Sequence, residues 1–231
     1  MLALSMLLGI FVGCTKDTPD DTTDPTDATD ATDGTEKPTE KPTEKPKETK
    51  PADFDEGKRY PVVMLQYSGP YSQQVHDSWN LGNYGNAMFE SYMAGEGFIM
   101  VCVDGRGTGG RGTEFGKCTY LNIGKYEPGD QVEAAKYLGS LPYVDKENIG
   151  IWGWSFGGYN TLMSMSQDDA VFKAGVAVAA PTDWRFYDTV YTERFMRTPK
   201  ENMEGYEAPS AMNRADKLHG ALLLMHGTAD D

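Results

Sequence analysis

At 231 residues with a net charge of −14, the chain is long enough for one mid-sized domain with a substantial core. Its acidity argues against holding nucleic acid through a basic patch. No run of eighteen apolar residues occurs, which argues against a membrane-spanning helix.

In chain order, residues 1–12 are apolar apart from Ser5 and run into Phe11-Val12-Gly13-Cys14. That ending looks like the lipobox of a bacterial lipoprotein signal peptide, which implies cleavage before Cys14, lipidation of its thiol and a cell-envelope location. No Lys or Arg precedes the apolar stretch, so an ordinary secretory signal or a misplaced start are the alternatives. Residues 15–52 read as a disordered tether. Thr-Asp-x recurs four times from Thr23 to Gly34, and Thr-Glu-Lys-Pro three times from Thr35 to Pro46. Such a segment buries too little apolar surface to offset its ordering entropy. Its prolines favour extended structure of about 3.1 Å per residue, a reach on the order of 100 Å.

From residue 53 onward, strand and helix signals alternate, which predicts an α/β domain with a mainly parallel sheet. Strands are expected at Tyr60–Tyr67, Phe98–Asp104, Ile149–Trp154, Ala174–Ala179 and Ala221–His226. Helices are expected near Asn83–Gly95, Pro128–Leu141, Gly157–Ser166 and Ala208–Leu218. Cys102 falls in an apolar strand run and Cys118 in a loop. They read as two free thiols, with a bridge between them as the alternative.

The most informative stretch is Gly153-Trp154-Ser155-Phe156-Gly157, a G-x-S-x-G pentapeptide directly behind a strand and ahead of a small-residue helix start. This is the pattern of a nucleophile elbow, in which a serine on a tight strand-to-helix turn exposes its hydroxyl above the sheet. A serine hydroxyl attacks well only if a base takes its proton, so the elbow implies a base nearby. Trp184, Tyr187 and Tyr191 are spaced by three and four residues, which by itself reads as one face of a core helix.

The elbow, together with Tyr67-Ser68-Gly69-Pro70, Asp104-Gly105-Arg106-Gly107, Tyr187 to Arg194 and His226-Gly227-Thr228-Ala229-Asp230-Asp231, resembles the catalytic domain of the prolyl oligopeptidase family, nearest its dipeptidyl peptidase IV branch. The resemblance covers roughly residues 54–231 and implies an α/β-hydrolase fold, incomplete here, with serine peptidase chemistry and neither metal nor cofactor. It makes Ser155 the nucleophile and Asp230, rather than the adjacent Asp231, the triad acid. The oxyanion donors would be the Phe156 backbone N–H and the Tyr67 hydroxyl; Phe156 stands where a tyrosine is usual. Trp184, Tyr187 and Tyr191, with Phe156 and Pro181, would form a flat apolar slot for proline. Peptides are the implied substrates, cleaved after proline or alanine, and the membrane is a partner through the lipid anchor. A homodimer is the implied assembly of the full-length family.

His76, His219 and His226 are the histidines of this sequence, and none matches the family's base. The family's large propeller and the first two strands of its hydrolase sheet have no counterpart either. The expectation is a partial domain with two open sheet edges and little or no peptidase activity. An esterase or acylaminoacyl hydrolase, and a non-catalytic lipid-anchored binding protein that keeps the fold, are the competing readings.

Overall fold

The computed structural model describes residues 47–78 and 87–230. Cys14, the repeats and Asp231 lie outside them. The described chain builds a six-stranded sheet from β1 (Lys47–Thr49), β2 (Tyr60–Leu65), β3 (Ile99–Cys102), β4 (Val144–Trp154), β5 (Ala174–Val178) and β6 (Ala221–Met225). The spatial order is β1-β3-β2-β4-β5-β6; every pairing is parallel except that of β1 with β3. All five expected strands are present, β4 starting five residues earlier than its apolar run at Ile149.

Both faces of the sheet centre are buried, which is why its strands read as continuous apolar runs. Val62, Met64, Ile99, Val101, Ile149 and Ile151 face α3 (Glu127–Gly139), packing on Val132, Ala135 and Leu138. The alternate positions Val63, Met100 and Cys102 turn to the other face and pack on Met93 of α1 (Ala87–Gly95). Cys102 is buried, Cys118 is half-buried, and both are free thiols.

Three features depart from the sequence reading. Lys47–Thr49, inside the expected tether, forms β1 against Met100–Cys102, so β3 is not an open edge of the sheet. The Lys50 ammonium then sits 4.4 Å from the ring centres of both Phe54 and Tyr143, fastening this segment to the domain. The expected helix over 208–218 is absent as such. A short α-helix, Met203–Glu207, ends at Ala208 just before Pro209, and a 3-10 helix follows over Met212–Lys217. Proline disfavours helical backbone in the residue before it and cannot donate to the preceding turn. Finally, two helices without a predicted counterpart appear at Thr113–Lys117 and Thr189–Met196. We number the helices after α1 in chain order: α2 (Thr113–Lys117), α3, α4 (Phe156–Met165), α5 (Thr189–Met196) and α6 (Met203–Glu207).

Candidate active site

Ser155 stands between the last residue of β4 and the first of α4, with φ 57° and ψ −117°. A non-glycine residue with positive φ is strained and persists only where its surroundings over-determine it. Here the Ser155 N–H donates to Val178 O at 2.8 Å and its carbonyl accepts from the Tyr159 N–H at 3.0 Å, holding it to β5 and to the first turn of α4. The glycines follow from crowding. A β-carbon on Gly153 would stand 2.5 Å from the Gly157 carbonyl, and one on Gly157 would stand 2.5 Å from Gln66 O. With the turn so compressed, the Phe156 N–H becomes the first donor of α4, at its partially positive end.

Seven residues line a narrow cavity of about 20 Å³ at this elbow: Ser155, Tyr67, Phe156, Pro181, Trp184, Tyr187 and Tyr191. Every residue the sequence reading assigned to nucleophile, oxyanion hole and slot is there; the expected triad acid, Asp230, is not. The walls are aromatic faces. Trp184 stacks on Tyr191 with ring centres 5.9 Å apart and planes at 24°, and Tyr187 meets both edge-on. Phe156 lies 5.3 Å from Trp184 and 5.9 Å from Tyr67. Behind them, Tyr159 packs against Trp184 at 4.9 Å and donates its hydroxyl to Pro209 O at 2.8 Å. In this form the cavity has room for about one water.

The three slot aromatics do not share a helix face, contrary to what their spacing alone suggests. Trp184 belongs to a 3-10 turn over Trp184–Phe186, Tyr187 is extended, and Tyr191 is on α5. Two aspartates make that break. Asp183 accepts from the Arg185 N–H and pairs with its guanidinium at 2.7 Å, while the Asp188 side chain caps α5 by accepting the Tyr191 N–H at 2.8 Å. Burial pushes the Asp183 carboxyl up, but the Arg185 side chain and N–H outweigh it and hold it below the usual carboxylate range.

Asp230 follows β6, on the same edge of the sheet as Ser155 because β4, β5 and β6 are parallel. Its carboxylate lies 3.4 Å from His226 Nδ1, and it does not line the cavity. The other histidines lie elsewhere: His76 Nε2 is 2.8 Å from Gln73 O, and His219 precedes β6, its backbone N–H donating to Met165 O at 3.0 Å. Among the described residues no histidine lines the Ser155 cavity.

Sequence reasoning missed the polar residues beneath the elbow. Gln66, Ser68, Gln131, Asn160 and Thr161 are all buried and joined by hydrogen bonds. The one local sign was a glutamine directly after an apolar strand. The Asp104 motif also gains a role. Its buried carboxylate accepts the Gln74 and Val75 N–H groups at 2.9 and 2.8 Å, fixing the segment that follows the Gly69-Pro70 turn. Burial pushes this carboxyl up, against those two bonds.

The sequence model of the prolyl oligopeptidase family matches residues 87–231, which takes in the elbow, the slot and Asp230. The chain belongs to the prolyl oligopeptidase family. The probable dipeptidyl-aminopeptidase B of Arthroderma gypseum is 47% identical over 187 residues, 80% of this chain and 20% of that protein. The protein of the same name from Neurospora crassa is 48% identical over 187 residues, with the same coverage. Among solved structures, Porphyromonas gingivalis dipeptidyl peptidase 4 superposes with a TM-score of 0.73 at 55% identity, covering 79% of this chain and 25% of that one. A putative dipeptidyl aminopeptidase IV from Bacteroides ovatus gives 0.72 at 44% identity, covering 78% and 25%. The mostly parallel, helix-flanked sheet is thus the one these prolyl oligopeptidase relatives share. The chain spans about a fifth of the length of the curated relatives it matches.

Proposed function

We propose that this protein is a dipeptidyl-peptidase-type serine peptidase that cleaves after proline or alanine near peptide N-termini through an acyl-enzyme. One observation carries the reading: a strained elbow serine opens into a slot walled by stacked aromatic rings. A proline ring brings little rotamer freedom to lose and packs well on such faces. In the proposed chemistry, the Ser155 Oγ adds to the scissile carbonyl carbon, its proton passing to a base. The carbonyl oxygen becomes an oxyanion held by the Phe156 N–H and the Tyr67 hydroxyl. The amine leaves with a proton, and water then releases the acyl group from Ser155. Asp230 is proposed as the acid that orients the base. Because none of His76, His219 and His226 lines the Ser155 cavity, a polypeptide of these 231 residues is expected to show little serine-dependent turnover.

The reading is tested without needing turnover. An alanyl-proline boronate adds to a serine as a Lewis acid: the O–B bond forms, the hydroxyl proton goes to water, and no bond to boron breaks. Binding of this boronate should exceed that of its alanyl-glycine counterpart and vanish in Ser155→Ala. Equal binding of the two would remove the proline preference. Absence of any Ser155-dependent adduct would favour a non-catalytic binding module.

We also propose that Cys14 carries a lipid and that residues 15–46 space the domain from a membrane, a reading supported by the apolar run ahead of Cys14 and the polar repeats behind it. Incorporation of a fatty-acid analogue that is lost in Cys14→Ser supports it; an unlabelled protein removes it.

A further inference from the structure

We propose that Gln66 is a positioning residue that locks the two donors of the oxyanion hole into one rigid frame; this rests on Ser155 being the nucleophile. Gln66 directly follows β2, one residue before Tyr67, and is fully buried. Its Nε2 donates to Gly157 O at 2.7 Å and to Thr161 Oγ1 at 3.1 Å. Its Oε1 accepts from Asn160 Nδ2 at 2.9 Å and from Ser68 Oγ at 3.1 Å. A primary amide offers two donor hydrogens and two acceptor lone pairs, and here all four are used.

The partners lie on two separate pieces of the site. Gly157, Asn160 and Thr161 belong to α4, whose first N–H is that of Phe156. Ser68 follows Tyr67 directly, in a positive-φ conformation (65°) that needs support from outside. The Gln131 Nε2 supplies more, donating to Ser68 Oγ at 3.2 Å and to Val103 O at 3.1 Å. Tyr67 is therefore gripped on both sides, and the grip on one side is the same amide that holds the start of α4. The backbone repeats the tie, since the Gln66 N–H donates to Trp152 O at 3.2 Å and Gln66 O presses on Gly157.

No apolar residue at position 66 could do this, because Gly157 O and the Asn160 amide would lose partners in a dry interior. A carboxylate would keep the acceptors and lose both donors. The frame acts on the charged oxygen of the tetrahedral state more than on the proline slot, because Trp184, Tyr187 and Tyr191 take part in none of these bonds. A donor displaced by a fraction of an ångström stabilises that oxygen less while ground-state binding stays the same.

The test compares two ligands of the full 231-residue chain: alanyl-proline boronate, which forms the tetrahedral anion on Ser155, and the alanyl-proline dipeptide, which only occupies the slot. Gln66→Met keeps the length of the side chain and removes all four bonds. It should weaken the boronate about tenfold or more and the dipeptide less than about twofold. Because Tyr67 is one of the two donors that the frame holds, part of the loss should be absorbed in a Tyr67→Phe background, so the two changes are non-additive. Thr161→Val, which removes a single acceptor, should give a smaller loss of the same pattern and serves if Gln66→Met no longer melts cooperatively. Equal weakening of both ligands, or full additivity with Tyr67→Phe, overturns the proposal. A wild-type chain that forms no Ser155-dependent boronate adduct overturns the proposed function itself, whereas an adduct indifferent to Gln66 and Thr161 overturns this inference alone.

Discussion

The carbonyl oxygen of Gln66 and the α-carbon of Gly157 approach so closely that a β-carbon on Gly157 would stand 2.5 Å from that oxygen. Both partners are backbone, so neither can swing away. Gly157→Ala is expected to destabilise the protein by about 1–3 kcal/mol, the usual cost of overpacking. Gly129→Ala is the control: it lies in α3 with nothing within 4 Å of the added carbon, and it should be neutral or stabilising by up to about 1 kcal/mol. Urea midpoints of the two variants check the contrast, and equal destabilisation would show that the elbow is less crowded than described.

Glu127 opens α3 fully buried, its Oε2 accepting the Gly124 and Tyr126 N–H groups at 3.1 Å each while Oε1 has no hydrogen-bond partner. Burial pushes its carboxyl up from the ordinary 4.5 to about 7. Between those two values the unfolded chain has lost this proton and the native chain keeps it. The native state then binds more protons, so the contribution of Glu127 to stability falls as pH rises from about 4.5 to about 7 and levels off above. Glu127→Gln should remove that slope, on the order of 3 kcal/mol across the window. Melting temperatures of both proteins from pH 4.5 to pH 8 show it. A parallel pair of curves would mean that Glu127 does not titrate in this range.

The Asp188 side chain caps α5 through the Tyr191 N–H, coupling a helix terminus to a wall of the slot. Asp188→Ala should cost about 1 kcal/mol of stability. It should also weaken alanyl-proline boronate severalfold, because the backbone that carries the Tyr191 ring against Trp184 loses its anchor. Trp184→Ala, which empties the centre of the aromatic cluster, should abolish the preference for proline over glycine in the same binding assay. A preserved preference would place the proline elsewhere.

A chain starting at residue 53, the boundary the composition suggests, drops β1 and the Lys50 contacts. It should aggregate more readily than a chain starting at residue 47, because the edge of β3 is uncovered. Light scattering during slow heating distinguishes them, and identical onset temperatures would show β1 to be dispensable.

The central strands were legible because each is a short apolar run ended by a polar or turn residue, and parallel strands buried on both faces have no other way to look. β1 was not legible: Lys-Glu-Thr has no apolar content, and only its pairing with Met100–Cys102 makes it a strand. The elbow could be read letter by letter, since its glycines answer a local steric demand. The slot could not be read from spacing, because three and four residues between aromatics describe a helix face equally well. Asp188 ahead of Thr189-Val190-Tyr191 was an available capping signal that a new helix starts there. The Gln66 frame was beyond local reading altogether, since its α4 partners lie 91 to 95 residues away along the chain.

The claim that Ser155 is a nucleophile beside a proline slot is tested most directly by a crystal structure of the chain with alanyl-proline boronate. The account predicts continuous density from Ser155 Oγ to boron and the proline ring packed against the aromatic wall that Trp184, Tyr187 and Tyr191 form. One boronate oxygen should lie about 2.7–3.1 Å from both the Phe156 nitrogen and the Tyr67 hydroxyl. Boron bonded to another residue, or a proline ring outside the aromatic slot, would contradict it.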